Sequence, residues 1–137
     1  GLGDVYKRQV QENGFEIPSQ EEIDDFNLIS AKEKKISISK SLRDKEQYSN
    51  IEFNGDTFKA DKETQYKIAA ASNGSNLVKW FDTDDNPVSL NMEELKQAIY
   101  NRGYALYAKQ KAIKSQINAL NSISELEAFN VEEVWKS

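Results

Sequence analysis

Over residues 51–90 apolar and polar positions alternate in two short bursts, and from Leu95 onward apolar positions recur every three or four residues. That change of period predicts two hairpins, a short helix between them and a long amphipathic helix behind them. The first hairpin reads Ile51-Glu52-Phe53-Asn54-Gly55-Asp56-Thr57-Phe58. Its Asn-Gly pair occupies a two-residue turn that needs positive φ at both positions. The register sets Ile51 opposite Phe58, with Phe53 on the same apolar face and Glu52 and Thr57 on the other.

Asp61 caps a predicted helix running to Ala71, with Tyr66, Ala69 and Ala70 as its packing face and Ile68 at the flank. Asn73-Gly74 supplies a left-handed stop. The second hairpin pairs Leu77-Val78-Lys79-Trp80-Phe81 with Val88-Ser89-Leu90, and Val78 and Trp80 share a face. Asn91, with Glu94 three residues on, caps the long helix, whose stripe is Leu95, Ile99, Leu106, Ile113, Ile117 and Leu120. Such a helix is longer than a small sheet needs for cover. Its surplus is expected either to pack on the first helix or to self-associate with another chain, and Gly103 to permit a close approach by a neighbour. Ser124 caps a short helix over residues 125–129, and Val131, Val134 and Trp135 close the chain.

Upstream, Ser19-Gln20-Glu21-Glu22 is a capping box, and the charge-rich run to about Gln47 reads as a helix with a poor stripe of Ile23, Phe26, Ile29 and Ile36. Ile36-Ser37-Ile38-Ser39 competes with that reading by alternating like a strand. The helix is expected to be mostly solvated with a weak packing face, the alternative being that it projects from the body or docks on a partner. Gly1-Leu2-Gly3-Asp4-Val5-Tyr6-Lys7-Arg8-Gln9 looks like a translated sequencing-adapter remnant, as at the broken end of a metagenomic reading frame, which would put the natural start upstream. The expected organisation is a leader over residues 1–14, a helix or linker over 15–48, and an α+β domain over 49–137. In that domain the two hairpins form one small antiparallel sheet against the long helix.

With 137 residues, 38% of them hydrophobic and 30% charged, the chain has room for one core with part of its length outside it. A net charge of -5 without a clustered basic face argues against nucleic acid. No apolar run reaches the roughly 20 residues of a membrane span, so the expectation is a soluble chain made in the cytoplasm. Cysteine and histidine are both missing, which removes thiolate and imidazole ligands, the commonest general base and imidazole-dependent nucleophiles. No catalytic residue and no cofactor are therefore assigned, and an enzyme is disfavoured.

Asp82, Asp84, Asn86 and Glu93 match four positions of a calcium loop, but Pro87 stands where its glycine is required. An Asp- and Asn-rich hairpin turn is the better reading, and no metal site is assigned. Adjacent acids such as Glu21 with Glu22 diverge on a helix and do not read as an acid/base pair. Tyr100, Tyr104 and Tyr107 form a second stripe beside the apolar one, and such amphipathic aromatics suit a protein interface. Trp80 marks a second candidate surface on the hairpin.

Over residues 35–135 the chain resembles a domain family of unknown function found in tailed phages and prophages, usually in tail or tail-fibre-associated proteins. The resemblance is carried by residues 51–61, Thr64-Gln65-Tyr66-Lys67-Ile68, Val78-Lys79-Trp80, Asp84-Asp85-Asn86-Pro87-Val88-Ser89-Leu90, Glu94-Leu95 and residues 123–135. The loop before Leu77 is shorter than usual in that family, and Asn86-Pro87 replaces a glycine-containing turn. What the resemblance implies is protein contact with a phage tail or tail-fibre protein, as an assembly factor or minor tail component, in the bacterial host cytoplasm during assembly or in the virion. The alternative is a prophage-encoded binding or regulatory module using the sheet face near Trp80.

Overall fold

The computed structural model describes residues 17–72, 74 and 76–137. The leader expected over residues 1–14 lies outside them, as does Asn73 of the expected helix stop. The element order is α1 Gln20–Gln47, β1 Ile51–Phe53, β2 Asp56–Phe58, α2 Lys62–Ala71, β3 Leu77–Phe81, β4 Pro87–Asn91, α3 Met92–Asn118, α4 Ile123–Ala128 and α5 Val131–Lys136. The chain is thus mixed α and β, with two hairpins, a long helix behind them and a helix before them.

The turn chemistry holds in detail. Asn54 and Gly55 both have positive φ, at 52° and 86°, and Ile51 faces Phe58. In the second hairpin Val78 faces Leu90 and Trp80 faces Val88. The single shared sheet is corrected, however: each hairpin pairs only within itself, giving two two-stranded sheets. A backbone bond from the Thr83 amide to the Thr57 carbonyl, 2.9 Å, ties one hairpin to the turn of the other. What unites them is apolar burial. Ile51, Phe58, Ala60, Ile68, Leu90, Met92, Leu95 and Ile99 make one core, with Phe53, Val78, Trp80 and Val88 packed against it.

α2 is capped by Asp61, which accepts from the Thr64 amide at 2.8 Å. Its packing face differs from the expected one. Ile68 is wholly buried, whereas Tyr66 is 68% exposed and Ala69 and Ala70 are exposed. Tyr66 and Ile68 are about 200° apart around the helix, so only one can face the core, and the branched aliphatic side chain wins.

The α3 stripe is as expected: Leu95, Ile99, Leu106, Ile113 and Ile117 are buried, and Leu120 packs beside them. Asn91 accepts from the amides of Glu93 and Glu94. The second half of α3 builds another core, in which Leu106, Ile113 and Ile117 meet Ile36 of α1 and Leu126, Val131 and Trp135 of the last two helices. The cap of α4 is Ser122, not Ser124. Its hydroxyl accepts from the Glu125 amide, while the Glu125 carboxylate reaches back to the Asn121 amide at 3.0 Å, a reciprocal arrangement that starts the helix two residues early. Asn130 caps α5, its side chain accepting from the Glu133 amide at 3.1 Å.

α1 begins at the Ser19 cap and passes through the strand-like Ile36-Ser37-Ile38-Ser39 run without a break. It lies antiparallel along α3, since Gln47 meets Arg102, Ser39 meets Gln110 and Lys32 meets Asn118. The surplus length of α3 is therefore covered within the chain, and α1 packs on the body through Leu28, Ala31, Ile36 and Leu42. The stripe expected for α1 is corrected: Ile36 is buried, but Phe26 is 69% and Ile29 55% exposed. The inward face runs through Leu28, Ala31, Lys35, Ser39 and Leu42. Two of those five positions are polar, which hides a true helical period from a hydrophobicity reading.

Each long helix supplies a cation to the other's carboxyl end. Arg102 of α3 donates to the carbonyls of Gln47, Ser49 and Asn50 at 2.8 to 3.0 Å. Lys32 of α1 donates to the Asn118 carbonyl at 2.9 Å. Both satisfy carbonyls that a helix end leaves without intrahelical partners and oppose its negative pole. Burial lowers the Arg102 pKa from its ordinary value, and the charge of Glu46 works in the other direction. Gly103 does lie beside α1, but an added Cβ would meet only Gln47 Nε2 at 3.7 Å, an ordinary contact. No close approach requires glycine there.

Candidate functional site

A helical stripe that the core does not use has to face something else. On α3 the tyrosines stand at i, i+4 and i+7, on the shoulder beside the buried stripe, with Tyr100 57%, Tyr104 77% and Tyr107 48% exposed. The same spacing continues through Lys111, Lys114 and Asn118. Around Tyr107 the cations are already placed: Lys111 Nζ is 5.0 Å and the Arg43 guanidinium 5.9 Å from the ring centroid. Both distances suit cation–π attraction, which helps to hold the ring at the surface.

The stripe leads into a groove of about 680 Å³ between α1 and α3, lined by Ile29, Lys32, Ile36, Lys40, Lys114 and Asn118 among others. The groove has apolar walls in Ile29 and Ile36 and a rim that is cationic in balance, three lysines against Glu33. Sequence reasoning missed it, because α1 was expected to be solvated and its pairing with α3 depends on Arg102 and Lys32, whose partners are backbone atoms.

Trp80 is only half-buried, but its side packs against the hairpin core together with Val78 and Val88. The structure does not bring it to the tyrosine stripe: Trp80 is in β3, and the tyrosines are on the outer shoulder of α3. The opposite face of β3 shows Leu77 and Phe81, both exposed.

The carboxylates of the calcium-like pattern are engaged in local structure. Asp82 Oδ1 accepts from the amides of Asp84 and Asn86, both at 2.9 Å, and Asp85 takes a positive φ of 60° to close the turn. Glu93 accepts from the Ser72 hydroxyl and pairs with Lys96, and these two partners, Ser72 first, lower its pKa below the ordinary value. Among the described residues no group of three or more His, Cys, Asp or Glu side chains could hold a metal ion. Also among them, no helix is long and apolar enough to cross a membrane.

Two further residues escaped the sequence reading although their positions carried a signal. Arg102 and Gln110 stand at polar positions within the α3 apolar stripe. Gln110 is wholly buried and donates to the Ser39 hydroxyl at 3.2 Å; Ser39 in turn donates to the Ile36 carbonyl at 2.5 Å. The Gln110 carbonyl oxygen has no protein partner. This buried polar pair fixes how α1 sits against α3, a role seen where a polar residue specifies register in helix pairs.

Residues 30–133 match the family model described as "Domain of unknown function (DUF4376)", and the chain belongs to that family. No curated protein and no solved structure matches it. The matched span overlaps the resemblance read over residues 35–135. The family description carries no function, so the match establishes kinship and does not by itself point to phage tails.

Proposed function

We propose that this member of the DUF4376 family acts by protein contact, docking a tail or tail-fibre protein of a tailed phage on the exposed shoulder of α3 during assembly or in the finished particle. The observation that supports contact is the tyrosine stripe. Three large amphipathic side chains in register, two of them more than half exposed, are the residue type enriched at interfaces, where an apolar ring is covered while its hydroxyl stays hydrated. The reading is recognition and not catalysis.

The test is co-expression with a tail-fibre protein of a tailed phage. A complex, or rescue of fibre solubility, is expected for the parent chain and is lost in a variant carrying Tyr100→Ser, Tyr104→Ser and Tyr107→Ser. All three positions are exposed, so the variant should keep the parent's helical circular dichroism. No association of the parent, or equal association of the variant, rejects the reading. Mass spectrometry of purified particles then separates an assembly factor, absent from the virion, from a tail component.

A second reading, a prophage-encoded binding or regulatory module using the sheet face near Trp80, draws on the part of Trp80 left uncovered by the hairpin core. It predicts Trp80 fluorescence that responds to a ligand in a chain that never associates with fibre protein.

A further inference from the structure

α1 is electrically divided. Residues 20–31 hold Glu21, Glu22, Asp24 and Asp25 and no cation, whereas residues 32–47 hold six Lys or Arg against three acids. Because Lys32 already stands at the carboxyl end of α3, residues 20–31 run past that end, an overhang of about 18 Å at the usual helical rise whose inner side still packs on the helical core through Leu28 and Ala31. The groove beside α1 is lined from Ile29 to Lys40, a stretch of similar length. The face of α1 that lines the groove continues up the overhang. Glu22, Asp25, Phe26 and Ile29 fall on the same helical face as Glu33, Ile36 and Lys40, and Phe26 and Ile29 are the exposed apolar residues of that face.

We propose that α1 pairs antiparallel with α1 of a second copy of this chain, so that the acidic overhang of each copy lies along the cationic groove of the other. A two-fold axis on the outward face, between Ile29 and Glu33, sets Glu22 of one copy beside Lys40 of the other and Phe26 over the groove at whose floor Ile36 lies. Both contacts then occur twice, as an isologous interface requires. A parallel pair would set acid against acid along the overhang, so the charge division selects the antiparallel arrangement. Lys114 of α3 adds a cation to the groove wall, facing the incoming acids. This surface includes α1 positions that the tyrosine stripe does not use, and the pairing requires no phage protein.

Sedimentation equilibrium of the whole chain tests it. The expected result is a dimer that weakens as salt is raised. Glu22→Lys or Lys40→Glu alone places like charges together at both symmetric contacts and should weaken the dimer by about tenfold or more. Mixing the two variants restores opposite charges at both contacts, and the heterodimer should recover the parent's affinity. Both side chains are exposed, and unchanged circular dichroism checks that the fold is kept. A chain that stays monomeric, a dimer indifferent to both reversals, or a mixture no tighter than either variant alone overturns the proposal. Capture of fibre protein by a chain that stays monomeric would overturn this pairing and leave the tyrosine reading intact.

Discussion

The two halves of α3 cover different kinds of core. Its first half packs on hairpins and α2, and every buried side chain in that core is apolar, from Ile51 and Phe58 to Ile99. Its second half packs on α1, α4 and α5, where buried apolar side chains share the interface with polar groups. There Gln110 and Ser39 are buried, Lys35 donates to the Phe129 carbonyl at 2.8 Å, and the Trp135 indole donates to Glu46 at 2.7 Å. Lys109 lies 4.6 Å from the Trp135 ring centroid. The hairpin core is organised by short-range signals, an Asn-Gly turn and helix caps, and closed by nonspecific burial. The helical core joins segments up to 94 residues apart in the chain, and directional bonds decide how they meet. Apolar burial drives collapse without direction, whereas hydrogen bonds and buried polar groups fix register.

Substitutions can break this contrast. Phe58→Ala and Trp135→Ala empty the hairpin core and the helical core respectively, and each should cost about 3 to 5 kcal/mol. Because one unbroken helix serves both cores, urea unfolding followed by far-ultraviolet circular dichroism and by tryptophan fluorescence should show one coincident transition in each variant. Two separated transitions would mean that the cores are independent.

Next in size is Arg102→Ala, which removes the donor to three carbonyls at the end of α1. The expected loss is about 2 to 3 kcal/mol in the same assay, since bonds to a charged donor are among the stronger ones. A loss below 0.5 kcal/mol, about the size of an ordinary surface substitution, would show that solvent satisfies those carbonyls as well as Arg102 does.

The buried pair gives a subtler result. Ser39→Ala alone should cost about 1 to 2 kcal/mol, because it leaves the Gln110 amide buried without its acceptor. The double change Ser39→Ala with Gln110→Leu should restore parent stability or exceed it. A double variant worse than Ser39→Ala alone would show that the polar pair contributes net stability beyond register. Smallest is Gly103→Ala, expected to raise stability by about 1 kcal/mol through helix propensity, since the new methyl group meets only ordinary contact. A lowered melting temperature would instead reveal a close approach of α1 at that turn.

The legibility of the sequence divides along the same line. The turn and strand register of the first hairpin, the strands of the second and the caps Ser19, Asp61 and Asn91 were readable because each depends on neighbours within a few positions. The α3 stripe was readable because its period repeats over seven turns. The inward face of α1 was not, because Lys35 and Ser39 occupy it and their partners, the Phe129 carbonyl and Gln110, lie far along the chain. Tyr66 was misplaced for a related reason: on a short helix with one strong apolar residue, the core alone decides which face turns inward. Of the candidate surface, the tyrosine stripe could be read from spacing, while the groove it enters exists only once α1 and α3 are paired.

By itself, then, the amino-acid order determined which segments become hairpins and helices, where most of those helices begin, and which side of α3 is buried. These are settled by steric limits on φ and ψ, by capping bonds and by periodicity, all local in reach. Only the tertiary structure decided that the two hairpins keep separate sheets, that α1 lies antiparallel on α3, and that an acidic overhang is left beside a cationic groove. Those outcomes depend on backbone carbonyls and buried polar groups whose partners are remote in sequence, and such pairing leaves no periodic trace in the chain.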